Sequence, residues 1–110
     1  MGAPKHSDDH DLLLALQHSV RRRILRQMLD KEEISPRDVS AALDLPLSNV
    51  SYHVRVLADC AAVSLVRTKQ VRGSVQHFYT TSLDTPWARQ VLGLTEKEDE
   101  QGENRGKPGA

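Results

Sequence analysis

Between Ser35 and Asp59 two helical periodicities meet at a break that neither can cross. Ser35-Pro36-Arg37-Asp38 reads as a helix start: the serine caps, the proline takes the first helical position and an acid sits at the third. Val39, Ala42 and Leu43 then form the expected buried side of a short helix. Leu47, Val50, Val54, Leu57 and Ala61 repeat at helical spacing and predict a second helix over about 47–59. Pro46 cannot continue the first helix, and Asp44 tolerates the left-handed backbone that a sharp turn demands. The stretch must therefore fold as two amphipathic helices in series, joined by a tight polar turn.

The flanks extend this plan. Met1–Ser7 reads as a flexible leader. Asp8 to about Gln17 predicts a helix with acids in its first turn, where the helix dipole favours them. Leu12, Leu13, Leu14, Ala15 and Leu16 wrap most of its circumference, whereas packing on one core needs a single apolar stripe. That surplus fits either a central helix of the monomer or a second face buried by another subunit. A helix over 19–29 follows, with Ser19 as N-cap and Val20, Ile24, Leu25, Met28 and Leu29 inward. Its Arg21, Arg22, Arg23 and Arg26 make either a solvated face or a phosphate-contacting one. The acidic turn at 30–33 closes it.

After Ala61 the pattern becomes β-rich. Runs at 63–68 and 75–80, separated by a turn that Gly73 permits, predict a hairpin projecting Lys69, Arg72 and Ser74. A last short helix should begin near Asp84-Thr85-Pro86 and end near Leu94, with Trp87, Val91 and Leu94 on one face. Residues 95–110 contain no large apolar side chain and are expected to be a disordered polar tail. The domain proper is thus 8–94, mainly α with a small β-hairpin, in the order α-α-α-α-β-β-α. Helix-turn-helix followed by a hairpin is the winged helix-turn-helix plan.

The helix over 47–59 turns Ser48, Asn49, Ser51, Tyr52 and Arg55 away from its apolar side. Small polar, aromatic and cationic groups on such a helix suit a DNA major groove: Asn pairs bidentately with adenine, and Ser bonds base edges or phosphates. Tyr reaches phosphate or a thymine methyl, and Arg55 would hold phosphate. His53, three residues after Val50, falls either on that surface or partly in the core. Arg67, Lys69, Arg72 and Ser74 would lay the hairpin along the backbone or minor groove, or else form a solvated tip. Basic and acidic residues balance at 15 each, so total charge announces no partner. From Pro46 to Ser82, however, Arg55, Arg67, Lys69 and Arg72 face Asp59 alone, a local net of +3.

Residues 12–82 resemble the ArsR-like (arsenic-repressor) winged-helix regulators. The resemblance rests on 18–25 (HSVRRRIL), 35–43 (SPRDVSAAL), 47–57 (LSNVSYHVRVL), 57–63 (LADCAAV) and the hairpin ending QHFY at 76–79. It implies a homodimeric, sequence-specific transcription regulator bound to double-stranded DNA, with repression the leading outcome. It also implies that Ser48, Asn49, Ser51 and Tyr52 meet the major groove. The dimer interface is expected from Leu12, Leu13, Leu16, Trp87, Val91 and Leu94. The chain departs from the family's metal sensors: its 35–43 helix lacks their cysteine pair, and the C-terminal helix lacks a histidine for their second site.

No metal or cofactor is expected. His6 and His10 stand four apart among aspartates and could chelate a metal, but on a fraying leader. The lone Cys60 rules out an intrachain disulfide and occupies a spot that wants a small apolar residue. Without a Gly-rich phosphate loop or a nucleophile's sequence context, an enzyme is not expected. No run is long and apolar enough for a membrane span, and a cytoplasmic regulator is the expectation, its effector unknown. The alternative is a winged-helix module that binds a protein or dimerises, with little DNA affinity.

Overall fold

The computed structural model describes residues 3–81 and 83–105, with side chains for 9–81 and 83–100. Five helices and one hairpin follow in order: α1 (Ala3–Ala15), α2 (Ser19–Asp30), α3 (Pro36–Leu43), α4 (Leu47–Asp59), β1 (Ser64–Val71), β2 (Ser74–Thr80) and α5 (Pro86–Arg105). The order matches the α-α-α-α-β-β-α expectation, and the architecture is a winged helix-turn-helix. α2 is the central element and packs against α3, α4 and α5. Ile24 and Leu25 of α2 are fully buried, and Met28 very nearly so, beside Val39 of α3 and Val50, Val54 and Leu57 of α4.

The turn between α3 and α4 is tied by one residue. The Ser40 carbonyl accepts from the N–H groups of Asp44 and Leu45, and the Ser40 hydroxyl donates to the Leu45 carbonyl. Asp44 takes the left-handed conformation expected of it, with φ 56°. At the other end of α3 the capping box closes on itself. Ser35 Oγ accepts from Asp38 N at 3.1 Å, and Asp38 Oδ2 accepts from Ser35 N at 3.4 Å.

β1 and β2 pair antiparallel, with a register shift between Leu65 and Arg67. Their two-residue turn places Arg72 at φ 50° and Gly73 at φ 82°, the pair of positive φ values that matches the strands' own twist. Ile34 exchanges two backbone hydrogen bonds with Tyr79, at 3.0 and 2.9 Å, so the segment entering α3 holds the base of the hairpin. Among the described residues no helix is long and apolar enough to cross a membrane.

The structure corrects several expectations. From Ala3 onward the expected flexible leader is helical. The cap of α2 is His18, not Ser19: its imidazole Nδ1 accepts from Val20 N. Ala42 is exposed and leaves the buried side of α3 to Val39 and Leu43. Ala61 lies beyond α4, exposed and left-handed at φ 64°, so it does not continue the apolar stripe. Most consequentially, α5 does not stop near Leu94 but runs to Arg105. Its inward side is Ala88, Leu92 and Asp99, with Trp87 partly buried against the same core and Leu94 exposed. Residues 106–110 of the expected tail lie outside the described residues.

That extension has a physical cause. Residues 95–105 are rich in helix formers, and Asp99 gives them a point of attachment. Its carboxylate accepts from Arg22 Nη2 at 2.6 Å, Arg22 Nε at 2.9 Å and Arg26 Nη2 at 2.8 Å. Arg26 donates further to the Leu92 carbonyl and to Thr95 Oγ1. Burial alone would raise the Asp99 pKa, but the hydrogen bonds from Arg22 and Arg26 outweigh it and hold the carboxyl below its ordinary range. Two arginines of the basic run are thus neither solvated nor offered to phosphate. They fasten α5 to α2.

Candidate nucleic-acid interface

α4 is divided by its own periodicity. Val50, His53, Val54 and Leu57 are buried, while Ser48, Asn49, Ser51, Tyr52 and Arg55 are exposed, Tyr52 by 59%. Pro46 supplies no side-chain cap, so the first-turn N–H groups of α4 are left to solvent or to a ligand. The outward face therefore offers hydroxyls, one amide, one phenol and one guanidinium, with the N-terminal dipole behind them.

The hairpin stands beside this face. Ser35, Pro36 and Arg37 at the start of α3, Leu47 and Ser51 of α4, and Ser74 to His77 of β2 line one shallow concavity of about 150 Å³. Helix and wing are thus two walls of a continuous surface. Lys69 and Arg72 are exposed toward the hairpin tip, and Ser74 is exposed while donating to the Val71 carbonyl at 3.1 Å. Arg37 and His77, both exposed, join the same surface. Neither stands out in the sequence, because Arg37 belongs to a helix start and His77 to an alternating strand.

Two of the expected contact residues are committed elsewhere. Arg67 lies below the wing tip, where its Nε donates to Glu33 Oε2 at 2.8 Å and its guanidinium stacks over the Phe78 ring at 4.1 Å. The hydrogen bond raises the Arg67 pKa and lowers that of Glu33. This residue braces the wing against the segment before α3 instead of extending from it. His53 is 9% exposed, and its Nδ1 accepts from Arg21 Nε at 3.1 Å. It belongs to the α2–α4 packing and is removed from the groove-facing set. Periodicity alone leaves His53 open, and the position of Arg21 decides it.

The residues expected at a subunit interface also divide. Leu12 and Leu16 are buried in the chain's own core, because α1 needs one stripe for its own packing. Leu13, at 47% exposed, and Leu94, at 74%, remain outward, with Trp87 and Val91 half-buried on the same side of α5 as Leu94. Leu14, 54% exposed, adds to the apolar surface of α1. Cys60 is buried, with its thiol directed at the Leu57 carbonyl at 3.4 Å. Among the described residues no three His, Cys, Asp or Glu side chains gather as a metal site, and the side chain of His6 lies outside them.

Comparison with known proteins agrees with this geometry. Residues 16–64 match the family model of a helix-turn-helix domain. No curated protein matches the sequence. Among solved structures, the chain is similar to reduced HlyU from Vibrio cholerae, at 26% identity and TM-score 0.62, over 84% of this chain and 90% of that one. NolR from Sinorhizobium fredii aligns at 23% identity and TM-score 0.60, over 87% and 92%. The homodimeric winged helix-turn-helix DNA-binding domain Mb0332 from Mycobacterium bovis, a possible ArsR-family transcriptional regulator, aligns at 15% identity and TM-score 0.62, over 92% and 86%. At the lower identities the likeness is one of fold, and that fold is the winged helix-turn-helix.

Proposed function

We propose that this chain is a sequence-specific transcription regulator that binds double-stranded DNA as a homodimer, of the ArsR-like type and acting as a repressor. The observation that carries the reading is the outward face of α4. A helix whose far side is buried in the core presents Ser48, Asn49, Ser51, Tyr52 and Arg55 next to a wing bearing Lys69 and Arg72. Two such helices related by a two-fold axis reach successive major grooves about one helical turn apart, which fixes an inverted-repeat operator. The exposed Leu13 of α1 and Leu94 of α5, with the half-buried Trp87 and Val91 beside Leu94, supply the self-complementary contact. Mb0332 is itself homodimeric.

The reading includes no catalytic step and no resident metal, and it places the protein in the cytoplasm with DNA. Selection of bound duplexes from a random pool tests binding and reads the half-site spacing in one experiment. On the selected duplex, affinity should fall steeply with salt, since phosphate contacts release counterions. Arg55→Glu should lower affinity at least tenfold while leaving thermal unfolding nearly unchanged, because Arg55 is exposed. Absence of any selected duplex at low salt would favour a protein-interaction module instead.

A further inference from the structure

Every cation of α2 with a partner described above has a structural one, and one of those partners belongs to the DNA-reading helix. His53 occupies the buried side of α4, directly after Tyr52, the most exposed aromatic ring of the outward face. Its ring lies edge-on to Tyr52, with centroids 5.2 Å apart, and against His18, with centroids 4.5 Å apart. Arg21 Nε donates to His53 Nδ1. Because a guanidinium only donates, that nitrogen must be the unprotonated acceptor, leaving the imidazole proton on Nε2.

We propose that His53 is a positioning residue for DNA recognition: its neutral ring, locked by Arg21, sets the rotation of α4 and the seat of Tyr52, and protonation of that ring releases the lock and weakens DNA binding. The inference rests on the DNA-binding reading above and names a control within it.

The surroundings favour such a response. From α2, Arg21 places a permanent cation on the ring; from the turn before α2, His18 places a second titratable imidazole there. From α4 itself the neighbour is Tyr52. α1 and α3 also pack on α4; they bury Leu12, Ala15, Val39 and Leu43, whereas their charged or titratable Asp9, His10, Asp11, Arg37 and Asp38 are exposed. Arg22, next on α2, acts on His18 but is held by Asp99. The charges acting on His53 are thus cationic, and burial followed by His18 and Arg21 holds its pKa below the ordinary histidine value. Protonation would set an N–H against the Arg21 N–H, so the contact cannot survive it.

The direction of the effect separates it from ordinary electrostatics. Ordinary electrostatics strengthens phosphate binding as pH falls, because a protein surface as a whole gains positive charge. A lock that needs neutral His53 does the opposite. The test is affinity for the selected duplex between pH 7.5 and 5.0 at fixed ionic strength, for wild type, His53→Gln and Arg21→Gln, with circular dichroism verifying the fold at each pH. Wild type should lose affinity about threefold or more over that range, since binding linked to an unprotonated group weakens progressively below its pKa. His53→Gln should show no such loss. Arg21→Gln, which removes the lock itself, should bind more weakly than wild type already at pH 7.5 and lose little more toward pH 5.0. The histidine Cε1–H resonance should report a His53 titration at the midpoint of the wild-type binding curve.

Identical pH profiles in wild type and His53→Gln would overturn the proposal while leaving DNA binding intact. Failure of wild type to bind any duplex at pH 7.5 would overturn both readings. Should His53→Gln not fold, Arg21→Gln and the resonance decide alone, and a wild-type pH profile in Arg21→Gln refutes the lock.

Discussion

Replacing Asp99 tests whether the C-terminal half of α5 is held by charge. The carboxylate is 3% exposed and each of its arginine partners 15%, so the cluster is largely withdrawn from water. Removing one member of a buried ion pair costs about 3–5 kcal/mol, mostly because the remaining charge is stranded. Here the stranding is incomplete. Arg22 keeps a hydrogen bond to the Leu16 carbonyl at 2.8 Å, and Arg26 keeps the Leu92 carbonyl at 3.0 Å. The lower end, about 3 kcal/mol, is therefore the expected cost of Asp99→Ala. For a domain of this size that is a fall in Tm of about 10–15 °C, read by circular dichroism at fixed protein concentration. An exposed pair would be worth about 0–1 kcal/mol and move Tm by no more than a few degrees.

The acid limb gives a second reading of the same cluster. The folded pKa of Asp99 lies below its unfolded value, the arginine hydrogen bonds outweighing burial. A depressed carboxylate contributes its full stabilisation above the unfolded pKa, near pH 4, and loses it as pH falls through the folded pKa. Asp99→Asn should therefore flatten the loss of stability below about pH 4. In a double-mutant cycle, Arg22→Ala and Asp99→Ala should be non-additive by at least about 0.5 kcal/mol. A Tm change of only a few degrees in Asp99→Ala, with additive cycles and an unaltered acid limb, would refute the clamp.

Two further outcomes follow from exposed and strained positions. Ala61 pays for a left-handed φ of 64° with a Cβ it does not use, so Ala61→Gly should stabilise the fold by about 0.5–1 kcal/mol in urea unfolding, and a loss of stability would show that the methyl is packed. Leu94 is 74% exposed, so Leu94→Glu should leave the protomer folded but convert the proposed dimer to monomer in sedimentation; an unchanged dimer would move the interface off this part of α5.

The legible part of the fold is the part governed by neighbours in sequence. The Ser35–Asp38 capping box, the left-handed Asp44 and the 47–59 helix all depend on residues within a few positions, and each stands where local chemistry puts it. The outward set on α4 was readable for the same reason, since 3.6-residue spacing alone separates Tyr52 from Val54. What local spacing cannot reveal is a polar partner brought from far along the chain. Asp99 lies 77 positions from Arg22, and Glu33 lies 34 from Arg67. Each pairing turned a charge that looked solvated, or looked destined for phosphate, into a brace between elements.

A faint signal for the first of these was present: Ala88, Leu92, Thr95 and Asp99 continue one helical stripe from apolar to polar, opposite two arginines four residues apart on α2. A stripe that changes character while keeping its period argues for a helix whose packing changes from hydrophobic to ionic, not for a helix that ends. The same logic separates the arginines of α2. Arg22 and Arg26 share one face and serve α5, while Arg21, one residue and about 100° away, serves α4. A single basic run therefore fastens both the C-terminal helix and the helix proposed to read DNA. The proposal accordingly predicts that Arg21→Gln acts mainly on DNA binding and Arg22→Ala mainly on protomer stability, although the two residues are adjacent.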